Sequence, residues 1–204
     1  MRRVAAVILA AGGSTRFGQP KQLLSFRGET LVRRAVRAAT EAGCVPVVVI
    51  VGESGPAIRP ELRGSGALIL ENLEWQRGLG TSIQRGTEFM LQSVPDIDAL
   101  VLLVCDQPLV ESSTIAALVA EHERSGKPIV ASSYSDTLGV PALFDRSCFA
   151  ALLALPDDSG AKALIEARTD HVASVVFKGG AIDIDTPADY DALAPPSRRD
   201  GLQL

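Results

Sequence analysis

Leu9-Ala10-Ala11-Gly12-Gly13-Ser14-Thr15-Arg16-Phe17-Gly18-Gln19-Pro20-Lys21 follows directly on the apolar run Val4 to Leu9. A buried strand that empties into a turn rich in Gly and small residues exposes consecutive backbone N–H groups, and a concave nest of such donors holds anionic oxygens. Arg16 and Lys21 add two permanent charges of different kinds, a planar fork that spans two oxygens and a point charge on a flexible stem. The alternative reading of the same spacing is an ordinary surface turn with incidental basic residues. Two familiar phosphate loops fail here. From Gly13 the spacing is G-x-x-x-x-G, but Gln19 stands where a P-loop needs Lys, and no Ser or Thr follows it. The dinucleotide fingerprint fails as well, because Gly12 and Gly13 are adjacent and Gly18 comes too late.

Beyond this loop the chain alternates between two kinds of segment. Val4 to Leu9, Pro46 to Val51, Ala67 to Leu70, Ala99 to Val104 and Ile129 to Ser132 are apolar runs without polar alternation, the pattern of strands covered on both faces. Leu31 to Ala42, Thr81 to Gln92 and Ser112 to Arg124 carry apolar residues at helical spacing. Gly43 stops the first of these helices, Ser112 and Ser113 are candidate caps of the third, and Gly126 with Pro128 lies beyond its end. Such alternation predicts a three-layer α/β/α, Rossmann-like fold around a mainly parallel sheet. In open sheets of this type ligands bind outside the carboxyl ends of the strands, which puts the loops after Leu9 and after Val104 on one rim.

The second loop reads Cys105-Asp106-Gln107-Pro108. A carboxylate at the end of a buried strand suits Mg2+, which takes one or two protein carboxylates and completes its shell with phosphate oxygens. The competing role for Asp106 is an Asx turn ahead of the next helix. Downstream, Ala181-Ile182-Asp183-Ile184-Asp185-Thr186-Pro187 puts Asp183 and Asp185 on one face of an extended segment. Asp185 or Thr186 can instead cap a helix that begins at Pro187.

Composition limits the remaining choices. The 204 residues are 47% hydrophobic and 22% charged, enough for one buried core, and predict a single domain over 1–194 with 195–204 as a flexible tail. A net charge of −4 argues against a general affinity for nucleic acid. No stretch has the length and apolarity of a membrane span and no signal peptide is evident, so the expectation is a cytoplasmic protein. Cys44, Cys105 and Cys148 are odd in number and lie in apolar surroundings, which reads as core packing and not as a disulfide framework. The two histidines serve no catalytic pattern: His122, within Glu121-His122-Glu123, is assigned to an exposed helix face, and His171 to a turn. No G-x-S-x-G elbow accompanies them.

Taken in order, the loop from Leu9 to Lys21, Asn72-x-x-Trp75-x-x-Gly78 with Thr81 and Ser82, Cys105 to Pro108, and Asp183 to Pro187 resemble the molybdenum cofactor nucleotidyltransferases. The likeness runs as far as about Tyr190. Ala10-Ala11-Gly12 and Gly78-Leu79-Gly80-Thr81-Ser82 resemble the cytidylyltransferase branch more than the guanylyl one, with Ala11 narrowing the base site. The resemblance implies transfer of CMP from CTP to the terminal phosphate of molybdopterin, with loss of pyrophosphate. It puts nucleotide contacts at Leu9, Ala10, Ala11, Gly12, Gly13, Ser14, Arg16, Lys21, Gly80, Thr81 and Ser82. Mg2+ falls to Asp106 and Asp185, and catalysis to Arg16, Lys21 and Asp106. Acceptor contacts are implied at Gly139, Pro141 and Lys162, although Val140 replaces the family's histidine and Asp157 a glycine. For the segment around Ser159 the plain alternative is a helix cap. A molybdoenzyme or its chaperone is the implied protein partner. Rival readings are a molybdopterin guanylyltransferase, a transferase to a sugar or other small phosphate acceptor, and a non-catalytic protein that delivers the cofactor.

Overall fold

In the structure, a computed structural model that describes residues 2–14 and 17–193, nine strands and seven helices follow the chain. The strands are β1 (Val4–Ala10), β2 (Ser25–Phe26), β3 (Glu29–Thr30), β4 (Val47–Val51), β5 (Leu68–Glu71), β6 (Ala99–Val104), β7 (Ile129–Tyr134), β8 (Thr137–Asp145) and β9 (Val172–Val176). The helices are α1 (Leu31–Glu41), α2 (Gly55–Glu61), α3 (Leu79–Ser93), α4 (Ser112–Ser125), α5 (Phe149–Leu153), α6 (Ala161–Ala167) and α7 (Pro187–Leu193). Seven strands form one sheet in the order β5-β4-β1-β6-β8-β7-β9, while β2 and β3 make a separate hairpin. Only β8 runs against its neighbours, so the mainly parallel sheet expected from the sequence is present.

Every residue of β1 is buried, because alternate side chains enter two different cores. Val4, Ala6, Ile8 and Ala10 pack with Val32 and Ala35 of α1, Ile58 of α2 and Ile115 of α4. Ala5, Val7 and Leu9 meet Ile83 and Met90 of α3, Phe149 of α5 and Ile165 of α6 on the other side. A fully buried aliphatic side chain contributes about 1.5–3 kcal/mol, so this double burial explains the unbroken apolar runs. A smaller cluster of Leu24, Phe26, Leu31 and Ile184 holds the C-terminal segment against the β2–β3 hairpin.

Three local readings are corrected. His122 is 1% exposed, not on an open face. It follows Ile115 and Leu118 on the inward stripe of α4, accepts Arg2 as a side-chain partner through Nε2, and pairs through Nδ1 with the Lys127 carbonyl at 2.8 Å. Neither Ser112 nor Ser113 caps α4. The N-cap is Glu111, whose side chain is drawn off to Arg34 instead. Ser159 does not cap α6 either, because Gly160 occupies that position. The end of α4 at Gly126 falls as read: Gly126 takes a left-handed φ of 65°, which Gly adopts without a Cβ penalty, and returns its N–H to the His122 carbonyl.

Candidate active site

Lys21 lies in a short 3-10 turn over Lys21–Leu23, between the β1 loop and the β2–β3 hairpin. Its Nζ donates to Asp106 Oδ2 at 2.6 Å and to Asp185 Oδ1 at 2.8 Å. Three segments distant in sequence thus converge at one ammonium on the carboxyl rim of the sheet. Asp106 follows the end of β6, and its carbonyl accepts the Ile184 N–H at 2.9 Å. Gln107 reaches the same segment, donating from Nε2 to the Gly180 carbonyl at 3.0 Å. Between the two acids Ile184 is fully buried, so Asp183 and Asp185 face out as the alternation predicts. Thr186 and not Asp185 caps α7: the Thr186 N–H donates to Asp189 Oδ2 and the Asp189 N–H returns to Thr186 Oγ1, a reciprocal box. That leaves the Asp185 carboxylate for Lys21.

The electrostatics follow from this crowding. Burial alone would depress the Lys21 ammonium, but the charge and hydrogen bond of Asp106, joined by those of Asp185, hold it above the ordinary lysine range. The Asp183 carboxyl is pushed up to about 6, first by partial loss of solvent and then by the negative charges of Asp106 and Asp185. Carboxylates therefore outnumber the cation that serves them among the described residues. The thiols are silent: burial raises Cys44 to about 12 and pushes up Cys105 and Cys148 also.

The β1 loop beside Lys21 is tied from below by Gln22, a residue not singled out from the sequence. Ser14 in this loop takes a left-handed φ of 48°. Its Oγ accepts the Lys21 N–H at 2.9 Å. Arg16 lies outside the described residues.

Asn72, buried after β5, donates from Nδ2 to Thr81 Oγ1 at 2.8 Å and to Ser82 Oγ at 3.0 Å. Thr81 Oγ1 in turn donates to the Gly78 carbonyl at 2.8 Å. Thr81 and Ser82 thus build the wall at the start of α3 from inside, each almost fully buried. Gly80 gives its N–H to the Asp157 carbonyl at 2.8 Å and has no room for a Cβ against Pro156. Gly52 is pressed between the Ala11 carbonyl and the Trp75 indole, again without room for a Cβ. Ala11, 8% exposed, is part of this tight corner.

On the other side of Leu9 a cleft of about 170 Å3 opens between β8 and α6. Val104, Tyr134, Gly139, Val140 and Lys162 are among its lining residues. Pro141 is buried in β8 and does not line the cleft. The Lys162 ammonium pairs with Glu166 at 3.7 Å on an exposed surface.

A three-layer Rossmann-like sheet with a cation-bearing loop after its first strand, and carboxylates on the same rim, defines the class: this is a nucleotidyltransferase enzyme. Residues 6–172 match the MobA-like NTP transferase domain, and the chain belongs to that family. The chain is 31% identical to nicotine blue oxidoreductase of Paenarthrobacter nicotinovorans over 144 residues, 70% of this chain and 67% of that one. It is 28% identical to the purine catabolism protein PucB of Bacillus subtilis over 92% of its own length and 94% of PucB. Bifunctional GlmU of Syntrophotalea carbinolica is 35% identical over 60% of the chain, which spans only 26% of GlmU. Among solved structures, Rv0371c of Mycobacterium tuberculosis superposes with a TM-score of 0.79 at 29% identity, covering 94% of this chain and 97% of that one. Rv0371c has also been solved in complex with manganese. Among the described residues no helix is long and apolar enough to cross a membrane.

Proposed function

We propose that the chain transfers CMP from CTP to the terminal phosphate of a molybdopterin-type acceptor and releases pyrophosphate. The observation that carries this reading is the meeting of Lys21, Asp106 and Asp185 beside the loop of residues 10–14. The nucleophile, a phosphate oxygen, is already anionic and needs little help from a base. The task is to bring two anions together in line and to neutralise them, which is positioning and electrostatic work. In this reading Lys21 lies against the α-phosphate, Arg16 against the β and γ phosphates, and the Gly12 to Ser14 backbone beneath them. Ala11, whose carbonyl crowds Gly52 in this corner, favours the smaller pyrimidine base through its added methyl.

The donor chemistry fits a divalent ion. Asp106 and Asp185 supply hard oxygen ligands within reach of one point, and their negative charges, after burial, add to the upward shift of the neighbouring Asp183. Two carboxylates leave most of such an ion's shell to water and to phosphate oxygens of the nucleotide. Mg2+ bound there would neutralise charge on the reacting phosphates. For both carboxylates to serve it, Lys21 must release them, and the α-phosphate offers the ammonium a new anionic partner.

The acceptor is a separate question. Val140 lines the cleft where the family's histidine would stand and offers no polar contact for a pterin there, so the second reading is transfer to another small phosphate acceptor such as a sugar phosphate. The experiment measures pyrophosphate release with CTP and with GTP, each with molybdopterin or a panel of sugar phosphates. CTP with molybdopterin should give the fastest release. A clear preference for GTP overturns the cytidylyl assignment, and release only with sugar phosphates overturns the acceptor. Asp106→Ala should lose at least about a hundredfold in rate while remaining folded. Near-normal turnover would remove Asp106 from the site.

A further inference from the structure

Gln22 is 1% exposed, within a turn whose neighbour Lys21 reaches the rim. An amide buried without partners costs several kcal/mol at the upper end, yet here every polar atom is engaged. Nε2 donates to the Ala10 carbonyl at 3.0 Å and to the Gly12 carbonyl at 2.9 Å, and Oε1 accepts from Ser14 Oγ at 3.2 Å. The orientation of the amide is unambiguous, since carbonyls can only accept and so must face the nitrogen. Ser14 Oγ also accepts the Lys21 N–H. Gln22 therefore ties both ends of the loop directly and, through Ser14 Oγ, the backbone of the residue that carries the ammonium.

We infer that Gln22 is a positioning residue that presets the phosphate loop for the anionic substrate. A trans peptide points the C=O of one residue and the N–H of the next in opposite directions. By holding the Ala10 and Gly12 carbonyls inward, Gln22 turns the N–H groups of Ala11 and Gly13 away from itself, to the side where an anion is met. The left-handed Ser14, uncommon for a residue with a side chain, is held by the same network. Without Gln22 the loop is left to be ordered by the substrate itself, and the ordering penalty is charged to binding. This rests on the reading of the 10–14 loop as a triphosphate site.

The test uses inorganic tripolyphosphate as a probe that needs no base or acceptor, together with CTP turnover. In Gln22→Met, of similar length but without an amide, the Kd for tripolyphosphate by calorimetry and the KM for CTP should rise together by about tenfold or more, with kcat changed less than about threefold. Ser14→Ala removes the hydroxyl that joins Gln22 Oε1 to the Lys21 N–H but leaves both Gln22 bonds to the loop carbonyls, so it should show the same pattern more weakly, which covers the case of a Gln22 variant that does not fold. A lower kcat per mole of protein with unchanged KM and Kd is what a merely structural residue gives, and it would overturn the inference. Wild-type protein that fails to bind tripolyphosphate would overturn the triphosphate reading itself. Binding by wild type with no change in either variant would overturn only the role of Gln22.

Discussion

Replacing Lys21 with Met should make the nucleotide-free protein bind Mn2+ more tightly. In the structure the ammonium holds Asp106 and Asp185 at 2.6 and 2.8 Å, so a metal that seeks both carboxylates must first displace it. The Lys21 and Asp106 side chains keep 16% and 21% of their exposure, and Asp185 keeps 53%. The half-open Asp185 contact is screened and worth at most about 1 kcal/mol, as for surface pairs. The more enclosed Asp106 contact contributes on the order of 1–2 kcal/mol, between surface pairs and fully buried ones. Together they set a competition of roughly 1–3 kcal/mol, about fivefold to 150-fold in metal affinity. Met keeps the length of the stem and removes only the charge. Electron paramagnetic resonance of free Mn2+ during titration of nucleotide-free protein reads the affinity directly, without turnover. Equal or weaker Mn2+ binding by Lys21→Met would show that the ammonium and the metal do not compete for the same carboxylates.

Two other perturbations separate the parts of the site. The Asp183 carboxyl is raised to about 6 in the folded protein, so its protonated form favours the fold. That contribution is fully present below about pH 3.8 and is lost as pH rises through 6. Asp183→Asn, compared with wild type without metal, should therefore be equal in thermal stability near pH 4 and more stable at pH 7.5, by a margin kept small by solvent contact; a constant difference across this window refutes the upward shift that burial, and then Asp106 and Asp185, give the carboxyl. In Gly80→Ala the new methyl meets the Pro156 carbonyl, an overpacking that costs about 1–3 kcal/mol, and a melting temperature within about 1 °C of wild type would show that the 156–158 segment yields freely.

The sequence was most legible where burial on both faces wrote an unbroken apolar run. β1, β4, β5, β6 and β7, with α1, α3 and α4, all fall where the pattern put them. β8 escaped that pattern because Gly139 and Pro141 interrupt it. Its pairing with β7 shifts register between Ala131 and Ser132, and Pro141, which has no N–H to give, falls in that irregularity. β9 is a half-exposed edge strand whose short Val-Ala-Ser-Val-Val carries little signal. Within the site, the alternation of Asp183, Ile184 and Asp185 was readable from a period of two. Gln22 was not, since nothing in Lys-Gln-Leu-Leu tells a buried amide from a surface one; only the carbonyls of the loop that folds over it give it meaning. His122 shows the reverse: its spacing from Ile115 and Leu118 was visible, but the flanking glutamates outweighed it.

The bond between Lys21 and Asp185 joins positions 164 residues apart. The loop around Ser14 and Gln22 closes through contacts within about a dozen residues, whereas the Lys21–Asp185 bond must wait until 164 further residues have been made and carries a larger loop-closure cost. A chain still in production therefore presents the loop well before it presents the second carboxylate. Lys21 then has Asp106 alone, and of the two carboxylates proposed for a metal only one is present. If that proposal holds, the pair is complete only once Ile184 has entered its small core with Leu24, Phe26 and Leu31, so metal affinity would report the docking of the 183–185 segment.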